Sequence, residues 1–225
     1  MSTTSTRQVH FDRLHARGPD AAVVIKLMMA CNDLSLANQA LDDWKKDQPR
    51  ERRQREIGAR MYFVRVELAH LFEGMKVIEE IQRTPSLRNL VERCDSRTKA
   101  SFAELEMFAH GGANRAEFEK LIGQVRHNLT FHYYRCEKLV LQAIADRASR
   151  REARLSSITR GSTAHLWRFN VADDIVDSVV VRGIWSVPRS ADLRTEVDKI
   201  ADRVHQILLS FVDFSGEFIW KFCEA

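Results

Sequence analysis

Four residues near the middle of the chain have types and spacing that suit chemistry on a phosphate: Arg126, His127, Asn128 and His132. Cleaving RNA without a metal requires a group that takes the proton of the 2'-hydroxyl and a cation that stabilises the charge developing on the phosphorane. His132 suits the first role because an imidazole titrates near neutral pH. Arg126 suits the second because its planar, permanently charged guanidinium matches phosphate oxygens. We therefore take Arg126 and His132 as candidate catalytic residues, assisted by His127 and Asn128.

The spacing of Arg126 and His132 sets a geometric problem. Six residues along an α-helix correspond to about 9 Å of rise and roughly 120° of rotation, so one helix presents the two side chains poorly as a pair. Asn128 lies one turn before His132 on nearly the same face, from which it can orient the ring or contact a substrate. Each residue also has an ordinary structural interpretation, because His132 falls within an apolar stripe and Arg126 can pair with Glu119 or Glu137.

The string Val-Arg-His-Asn-Leu-Thr-Phe-His-Tyr, residues 125–133, resembles the Arg-X(4 to 6)-His signature of HEPN domains. HEPN domains are helical and occur in many microbial RNase toxins and defence proteins. In HEPN enzymes the site is composite and forms where two such helices meet across a dimer, which would resolve the geometry of Arg126 and His132. The resemblance therefore implies a homodimeric, metal-independent endoribonuclease that needs no cofactor, leaves cyclic phosphate ends and spares DNA. It also implies an antitoxin protein as a partner.

The helix predicted to carry this motif has apolar or aromatic residues on two faces. At about 100° per residue, one stripe contains Phe118, Ile122, Val125, Leu129, Cys136, Leu139 and Ala143. The opposite face carries Gly123, His127, Thr130, Phe131 and Tyr134. A helix of this kind is usually buried on both sides. We expect one face to pack on the core and the other to meet a second body, interpreted as another copy of the chain, with Phe131 and Tyr134 as interface residues.

Two other interpretations remain open. In the first, the chain is a non-catalytic HEPN-like module that uses the same helix to bind a nucleotide, an RNA or a partner protein. In the second, it is a purely structural helical protein in which the motif has no function. An open, positively charged cleft at Arg126 and His132 would favour the enzyme, and a dry core around them would favour the module.

Arginine dominates the basic residues, with 26 arginines among the 35 lysines and arginines. Arginine is the side chain suited to phosphate and carboxylate recognition. One basic cluster follows the motif and contains Arg147, Arg150, Arg151, Arg154 and Arg160, and another contains Arg50, Arg52, Arg53 and Arg55. The residues from Arg147 to Arg154 are candidates for RNA contact, although such runs are more often a solvated face.

The remaining composition is typical of an intracellular protein of one domain. A length of 225 residues with 44% hydrophobic content is enough for one substantial core. The four cysteines are isolated, without a Cys-X-X-Cys pair or a histidine at metal-ligand spacing, which predicts reduced thiols rather than a metal site. No apolar run has the length of a membrane span or the flanks of a secretory signal, so we expect a cytoplasmic protein without membrane contact.

Helix signals follow one another from Gly18 onwards and predict an all-α protein, a HEPN-like up-and-down bundle of roughly 5 to 7 helices with a C-terminal helical extension. We expect a flexible segment over residues 1–18 and a single domain over 19–225, in which 155–188 form an irregular connection and 189–223 the last helix. Earlier helices are predicted over 21–46, 50–82, 85–94, 96–110 and 114–148. A capping box of Asn114 and Glu117 opens the helix that carries the motif.

Two further regions have patterns that bear on function or packing. Residues 165–185 have both strand propensity and helical spacing, and the choice between them stays open. Asp173, Asp174 and Asp177 lie there and are interpreted as part of a short helix capped at Asn170 rather than as metal ligands. Along the last helix, the residues predicted to face inward are Leu193, Val197, Ile200, Val204, Ile207, Leu208, Phe211 and Phe218.

Overall fold

Helices dominate the computed structural model, which confirms the predicted all-α class. The structure describes residues 5–46, 53–130, 136–150, 155–160, 162 and 168–224, apart from the side chains of 44–46, 53–60 and 168. Its α-helices are α1 (Phe11–Ala16), α2 (Pro19–Lys46), α3 (Arg53–Arg83), α4 (Pro85–Glu92), α5 (Ser96–Phe108), α6 (Arg115–Phe118), α7 (Glu137–Ala148), α8 (Asn170–Ser178) and α9 (Leu193–Glu224). Segments of π-helix lie at Glu119–Gly123, Arg126–Thr130 and Val179–Ile184.

Helix α3 is the centre of the bundle and packs lengthwise against α2. The predicted stripe of α3 is confirmed in its second half, where Leu68, Leu71, Met75 and Ile78 are buried. Their spacing of three or four residues keeps them on one face of a 3.6-residue helix. Burying a side chain of this size stabilises a fold by about 1.5–3 kcal/mol. Regular apolar spacing therefore explains both the presence of α3 and its place in the core.

The last helix, α9, closes the core with aromatic rings. It packs along α5 and α2, and Phe211, Phe214 and Phe218 are fully buried. Phe214 stacks on Phe218 and also contacts Phe102 of α5, with ring centroids 5.0 and 4.8 Å apart. One residue of the predicted inward face is wrong, because Leu193 is 44% exposed at the first turn of α9. The apolar spacing can continue to the end of a helix although the elements that the helix packs against end earlier, which leaves an apolar residue of the terminal turn exposed.

The helix starts follow local capping chemistry at some positions only. Asp95 caps α5 and accepts a hydrogen bond from the Thr98 amide at 2.7 Å, as expected for an N-cap aspartate. Thr84 precedes Pro85 as predicted, but its hydroxyl donates to the Glu80 carbonyl at 2.8 Å instead of capping α4. The main chain turns after α5 at Gly111, whose φ of 84° favours glycine.

The helix predicted from Asn114 to Ala148 differs from the structure in three respects. The capping box is absent, because the Asn114 side chain makes no cap hydrogen bond and Glu117 instead binds Arg203 of α9 at 2.9 Å. Residues 119–123 and 126–130 are π-helical, so residues five apart rather than four apart are hydrogen-bonded. Finally, the helix is not continuous, since Cys136 is a non-helical N-cap with φ −96° and ψ 10° from which α7 starts anew. We call residues 115–130 the motif helix.

Residues 155–188 contain more regular structure than an irregular connection. The strands β1 (Ile158–Thr159) and β2 (Arg168–Phe169) are antiparallel, with Ile158 opposite Phe169. The undecided region is mainly helical, with α8 followed directly by the π-helical turn Val179–Ile184. The Asn170 side chain donates to the Ser157 hydroxyl at 2.9 Å and does not cap α8, so the predicted cap is wrong. The N-terminal segment 1–18, expected to be flexible, includes the short helix α1.

Candidate functional site

The motif helix lies antiparallel to α3, and three contacts along the pair set its position. Near its start, Arg115 pairs with Glu79 at 3.1 Å. In the middle, Arg126 pairs with Glu73 at 2.8 Å. At its end, the Arg65 guanidinium donates to the Leu129 carbonyl at 2.7 Å. Along these three contacts the residue numbers of α3 decrease while those of the motif helix increase, so the two helices are antiparallel and one face of α3 contacts the motif helix from Arg115 to Leu129.

Arg126 is a half-buried side chain at the edge of this pair, with 24% of it exposed. Besides Glu73, its guanidinium has Nη1 3.4 Å from the Nδ1 atom of His127, and its Cζ lies 5.6 Å from the centre of the Phe72 ring. Of the two ion-pair partners predicted for Arg126, Glu119 pairs with Arg115 instead, and the carboxylate that the described residues place on Arg126 is Glu73. Helix spacing predicts pairs within one helix, whereas the partner of Arg126 comes from α3.

Glu73 is the acidic centre of the site. Partial burial raises the pKa of its carboxyl, but hydrogen bonds and charges from Lys76 and Arg126 lower it further, so the net pKa lies below its usual value. Lys76 approaches both carboxylate oxygens, at 3.1 and 2.9 Å. Glu73 is therefore ionised at neutral pH and is shared between two cations.

The two residues after Arg126 have their polar atoms engaged locally. His127 packs edge-on against Phe72, with centroids 5.0 Å apart and planes at 80°. The Asn128 side-chain amide donates to the Gln124 carbonyl at 2.7 Å and lies 3.2 Å from the Gln124 side-chain oxygen. In this arrangement both residues hold the motif helix in place, and their assisting roles in catalysis stay predictions.

The second apolar face of the motif helix is buried within the chain itself. Thr130 is only 4% exposed, and its hydroxyl is 3.4 Å from the Arg65 and Val125 carbonyl oxygens. Gly123 is buried against α3, where an added Cβ would lie 3.3 Å from the Phe72 ring. For these residues the second body is α3 rather than another copy of the chain. The homodimer stays a prediction, but burial of Gly123, His127 and Thr130 no longer argues for it.

Several predicted site residues lie outside the described residues. They are His132 and the interface residues Phe131 and Tyr134, together with Arg151 and Arg154 of the basic cluster. The structure describes the chain up to Thr130 and again from Cys136.

Two described members of the basic cluster, Arg147 and Arg150, are paired with carboxylates. Arg147 of α7 binds Asp174 of α8 at 3.0 Å. Arg150 binds Asp146, which also receives Arg189. Exposed pairs of this kind stabilise a fold only slightly. The carboxylates nevertheless reduce the positive charge that these arginines could offer to the phosphates of an RNA. Arg147 and Arg150 thus join α7 to its neighbours, and their contact with RNA stays a prediction.

Helix α8 carries Asp177, a partly buried carboxyl whose pKa is raised. Burial, together with the charges of Asp174 and Asp173, raises the pKa of Asp177 from 3.8 to about 6. Its Oδ1 atom is buried and has no hydrogen-bond partner in the described structure. Within the described ranges, no group of three or more histidine, cysteine, aspartate or glutamate side chains is placed to hold a metal ion.

Sequence reasoning missed Glu73, Lys76 and Arg65, which surround the motif from α3. The sequence places all three near the apolar stripe of a helix, where charged residues normally flank a core. The sequence signal that could have identified them is their spacing, which places them one or two turns apart along one edge of a single helix. Only the packing of α3 on the motif helix shows that this edge faces Arg126 and Leu129.

Fold and site together define an all-α helical bundle in which an arginine of the motif helix pairs with a glutamate of α3. The chain matches no protein-family model, no curated protein and no solved structure. In the part of the chain that the structure describes, no helix combines the length and the apolar content needed to cross a bilayer. The likeness to HEPN domains thus continues to depend on the residues from Arg126 to His132.

Proposed function

We propose that the chain is a HEPN-like, metal-independent endoribonuclease of the toxin or defence type. The observation that carries the proposal is the position of Arg126. Its guanidinium is held at the surface of the bundle by Glu73, with 24% of the side chain exposed, rather than enclosed in a dry core. A cation fixed in this way at a solvent-accessible edge is the group that an incoming phosphate needs.

In the proposed reaction, His132 takes the proton of a ribose 2'-hydroxyl, which then attacks the adjacent phosphorus. Arg126 stabilises the negative charge of the phosphorane through its guanidinium hydrogen bonds. The products are a cyclic phosphate end and a 5'-hydroxyl end, so a strand without 2'-hydroxyls is not cleaved. By resemblance to HEPN enzymes, Arg126 and His132 of one site come from two subunits of a homodimer.

Glu73 has a defined part in this scheme. A phosphate that binds Arg126 must compete with the Glu73 carboxylate for the same guanidinium. Lys76 contacts both oxygens of Glu73, so the carboxylate keeps a cationic partner when Arg126 turns to the substrate. The exchange therefore avoids the large cost of leaving a carboxylate without a partner.

A second candidate function is a non-catalytic module that binds a nucleotide, an RNA or a partner protein. The observation that favours it is that the described motif residues already have contacts within the chain. Arg126 forms an ion pair with Glu73, and the His127 ring packs on Phe72. Such a module needs Arg126 for binding but does not need His132 as a base.

The test is cleavage of a mixed single-stranded and transfer RNA substrate in EDTA. The parent is compared with His132→Ala and Arg126→Met, and with Arg115→Met as a matched control. Arg115 is also a half-buried arginine of the motif helix that pairs with a glutamate of α3, so its loss has a similar structural cost. We expect the parent and Arg115→Met to cleave RNA, and the His132 and Arg126 variants to be slower by about 100-fold or more.

The alternative outcomes separate the two functions. Folded parent protein that binds RNA without cleaving it, and loses binding in Arg126→Met, would favour the module. Equal losses in Arg115→Met and Arg126→Met would show that the motif arginine acts only through the fold. Circular dichroism and thermal unfolding of each variant establish that it is folded before its rate is interpreted.

A further inference from the structure

A cleft of about 530 Å³ lies between α7 and the π-helical turn Val179–Ile184. Its described lining residues come from α7, the end of α8, this turn and the segment before α9. The volume falls within the range of small-molecule sites, which is about 300–1,000 Å³. The described motif residues from Arg126 to Asn128 are not among the lining residues, so the cleft is a separate feature of the molecule.

Part of the cleft lining is apolar. It includes Ala143 of α7 and Val179 of the turn, which are both buried. Gly183 lies opposite Leu139, and a Cβ added to this glycine would be 3.6 Å from the Cδ2 atom of Leu139. Because Gly183 has no side chain, the space between α7 and the turn stays open at this point. The apolar lining residues therefore suit the hydrophobic body of a small molecule.

The charged residues of the described lining are two arginines and one aspartate. Asp146 accepts hydrogen bonds from Arg189 and from Arg150, so two guanidinium groups share its negative charge. Arg182, the second arginine of the lining, has no carboxylate partner within the described residues. The described charges at the cleft are therefore positive on balance, which favours an anion as the ligand.

The guanidinium of Arg182 is held by only one of its three nitrogen atoms. Nη1 donates to the Val187 carbonyl at 2.8 Å and to the Pro188 carbonyl at 2.6 Å. The chain turns between Arg182 and these carbonyls at Ser186, whose φ of 57° lies in the left-handed region. Nε and Nη2 have no hydrogen-bond partner among the described residues. These two N–H groups form the edge of the guanidinium that binds a carboxylate or a phosphate through two parallel hydrogen bonds.

We propose that this cleft binds a small organic anion, with its apolar body against Leu139 and Val179 and its carboxylate or phosphate group on Nε and Nη2 of Arg182. Arg189 lines the same cleft and adds a second positive charge, although 65% of its side chain is exposed. A single ion pair in contact with water is weak, so the apolar contact must contribute as well. The proposal is independent of RNA cleavage, because it uses no residue of the motif.

The test is isothermal titration calorimetry of the full chain at neutral pH with four probes. 1-Naphthoate and 1-naphthyl phosphate join the same apolar body to the two kinds of oxoanion, whereas 1-naphthol and inorganic phosphate each supply only one half. We expect at least one naphthyl anion to bind with a Kd below about 1 mM. The two halves should bind at least about tenfold more weakly. The naphthyl anion that binds more tightly identifies the preferred head group.

Four variants locate the bound anion. Arg182→Met should raise its Kd by about tenfold or more, because it removes two hydrogen bonds from a charged donor. Arg189→Met should have a smaller effect. Arg150→Met is its matched control, since Arg150 pairs with the same aspartate but is not among the lining residues, and its Kd should stay within about twofold of the parent value. Ala145→Phe fills the cleft from an exposed position of α7 and should weaken binding without removing a charge.

The results that would overturn the proposal are distinct. Folded parent protein that binds neither naphthyl anion below about 5 mM would show that the cleft is not a ligand site. Equal affinity for 1-naphthol would exclude recognition of the charge, and equal affinity for inorganic phosphate would exclude the apolar contact. Unchanged binding in folded Arg182→Met or Ala145→Phe would place the ligand elsewhere. Equal losses in Arg182→Met and Arg150→Met would mean that overall charge attracts the anion. If thermal unfolding shows that Arg182→Met is not folded, Ala145→Phe decides the question.

Discussion

At the scale of single residues, the described site is organised by carboxylates that hold basic side chains at defined positions. Glu73 holds Arg126 and Glu79 holds Arg115, both from α3. Asp174 of α8 does the same for Arg147 of α7. An arginine restrained in this way loses less side-chain entropy when it binds a phosphate than a freely rotating one. The same pairing weakens its attraction for anions, so the RNA substrate proposed above would have to offer more than a single phosphate.

Asp177 is the exception among these carboxylates, because its raised pKa costs stability. In the folded chain its pKa is about 6, compared with an ordinary value of 3.8. Between about pH 4 and pH 6 the folded state therefore binds more protons than the unfolded state, and stability falls as pH rises through this window. A shift of this size corresponds to about 3 kcal/mol for a fully desolvated group, and partial solvent exposure reduces it to about 1–2 kcal/mol.

We expect Asp177→Asn to raise the free energy of unfolding by about 1–2 kcal/mol at pH 7.5 and to have almost no effect below pH 4. Urea unfolding of parent and variant across this range gives the difference directly. The matched control is Asp174→Asn, which removes the partner of Arg147 and should lower stability at pH 7.5. A stabilisation by Asp177→Asn that is the same at all pH values would show that charge is not its cause.

At the scale of elements, the regular helices could be predicted from the sequence and the motif helix only in part. On α3, the helical spacing of the apolar residues is visible in the sequence and predicts that they are buried, as is found for Leu68, Leu71, Met75 and Ile78. The π-helical turns of the motif helix lie where it packs against α3, and no local sequence signal predicted them. Its capping box failed for a similar reason, since Glu117 gains more from Arg203 of α9 than from a local amide.

Two helical glycines show how closely the elements pack, and their substitution should have opposite effects. An alanine Cβ at Gly74 of α3 would lie 2.6 Å from Cζ of Phe211, a ring that is fully buried in the core. At Gly216 of α9, nothing lies within 4 Å of the added atom. We expect Gly74→Ala to lower the free energy of unfolding by about 1–3 kcal/mol. Gly216→Ala should raise it by about 0.5–1 kcal/mol, because alanine restricts the unfolded chain and favours a helix.

Chemical denaturation of the two single variants and of the double variant tests this prediction. The positions are on different helices, so the two effects should add if they share no partner. Equal small changes in both variants would mean that α3 and α9 are further apart at Phe211 than the structure indicates. The element pair α3 and α9 also supports the motif helix, so RNA cleavage by Gly74→Ala should fall together with its stability.

At the scale of the whole molecule, the two ends of the described chain are joined on one side of the bundle. Arg7 pairs with Glu224 at 3.2 Å and lies over the Trp220 ring at 4.4 Å. Arg17 lies 4.7 Å from the centre of the Phe222 ring. These contacts attach the N-terminal segment to α9. Arg126 and His127 instead contact Glu73 and Phe72 of α3, so these motif residues and the chain ends are held by different contacts.

The composite site inferred from the HEPN resemblance gives the molecule a property that no single chain can have. If Arg126 and His132 of one site come from different subunits, mixing Arg126→Met with His132→Ala should restore activity although each variant alone is inactive. A symmetric dimer has two equivalent sites, and random exchange makes half of the dimers mixed, each with one intact site. We therefore expect about a quarter of the parent activity after unfolding and refolding the two variants together.

The control for this mixing experiment is a pair of variants that cannot complement each other. Arg126→Met mixed with the double variant Arg126→Met/His132→Ala contains no intact arginine and should stay inactive at every ratio. Light scattering before and after mixing measures the mass of the particles. A dimeric protein that shows no recovery would place Arg126 and His132 of each site in the same subunit.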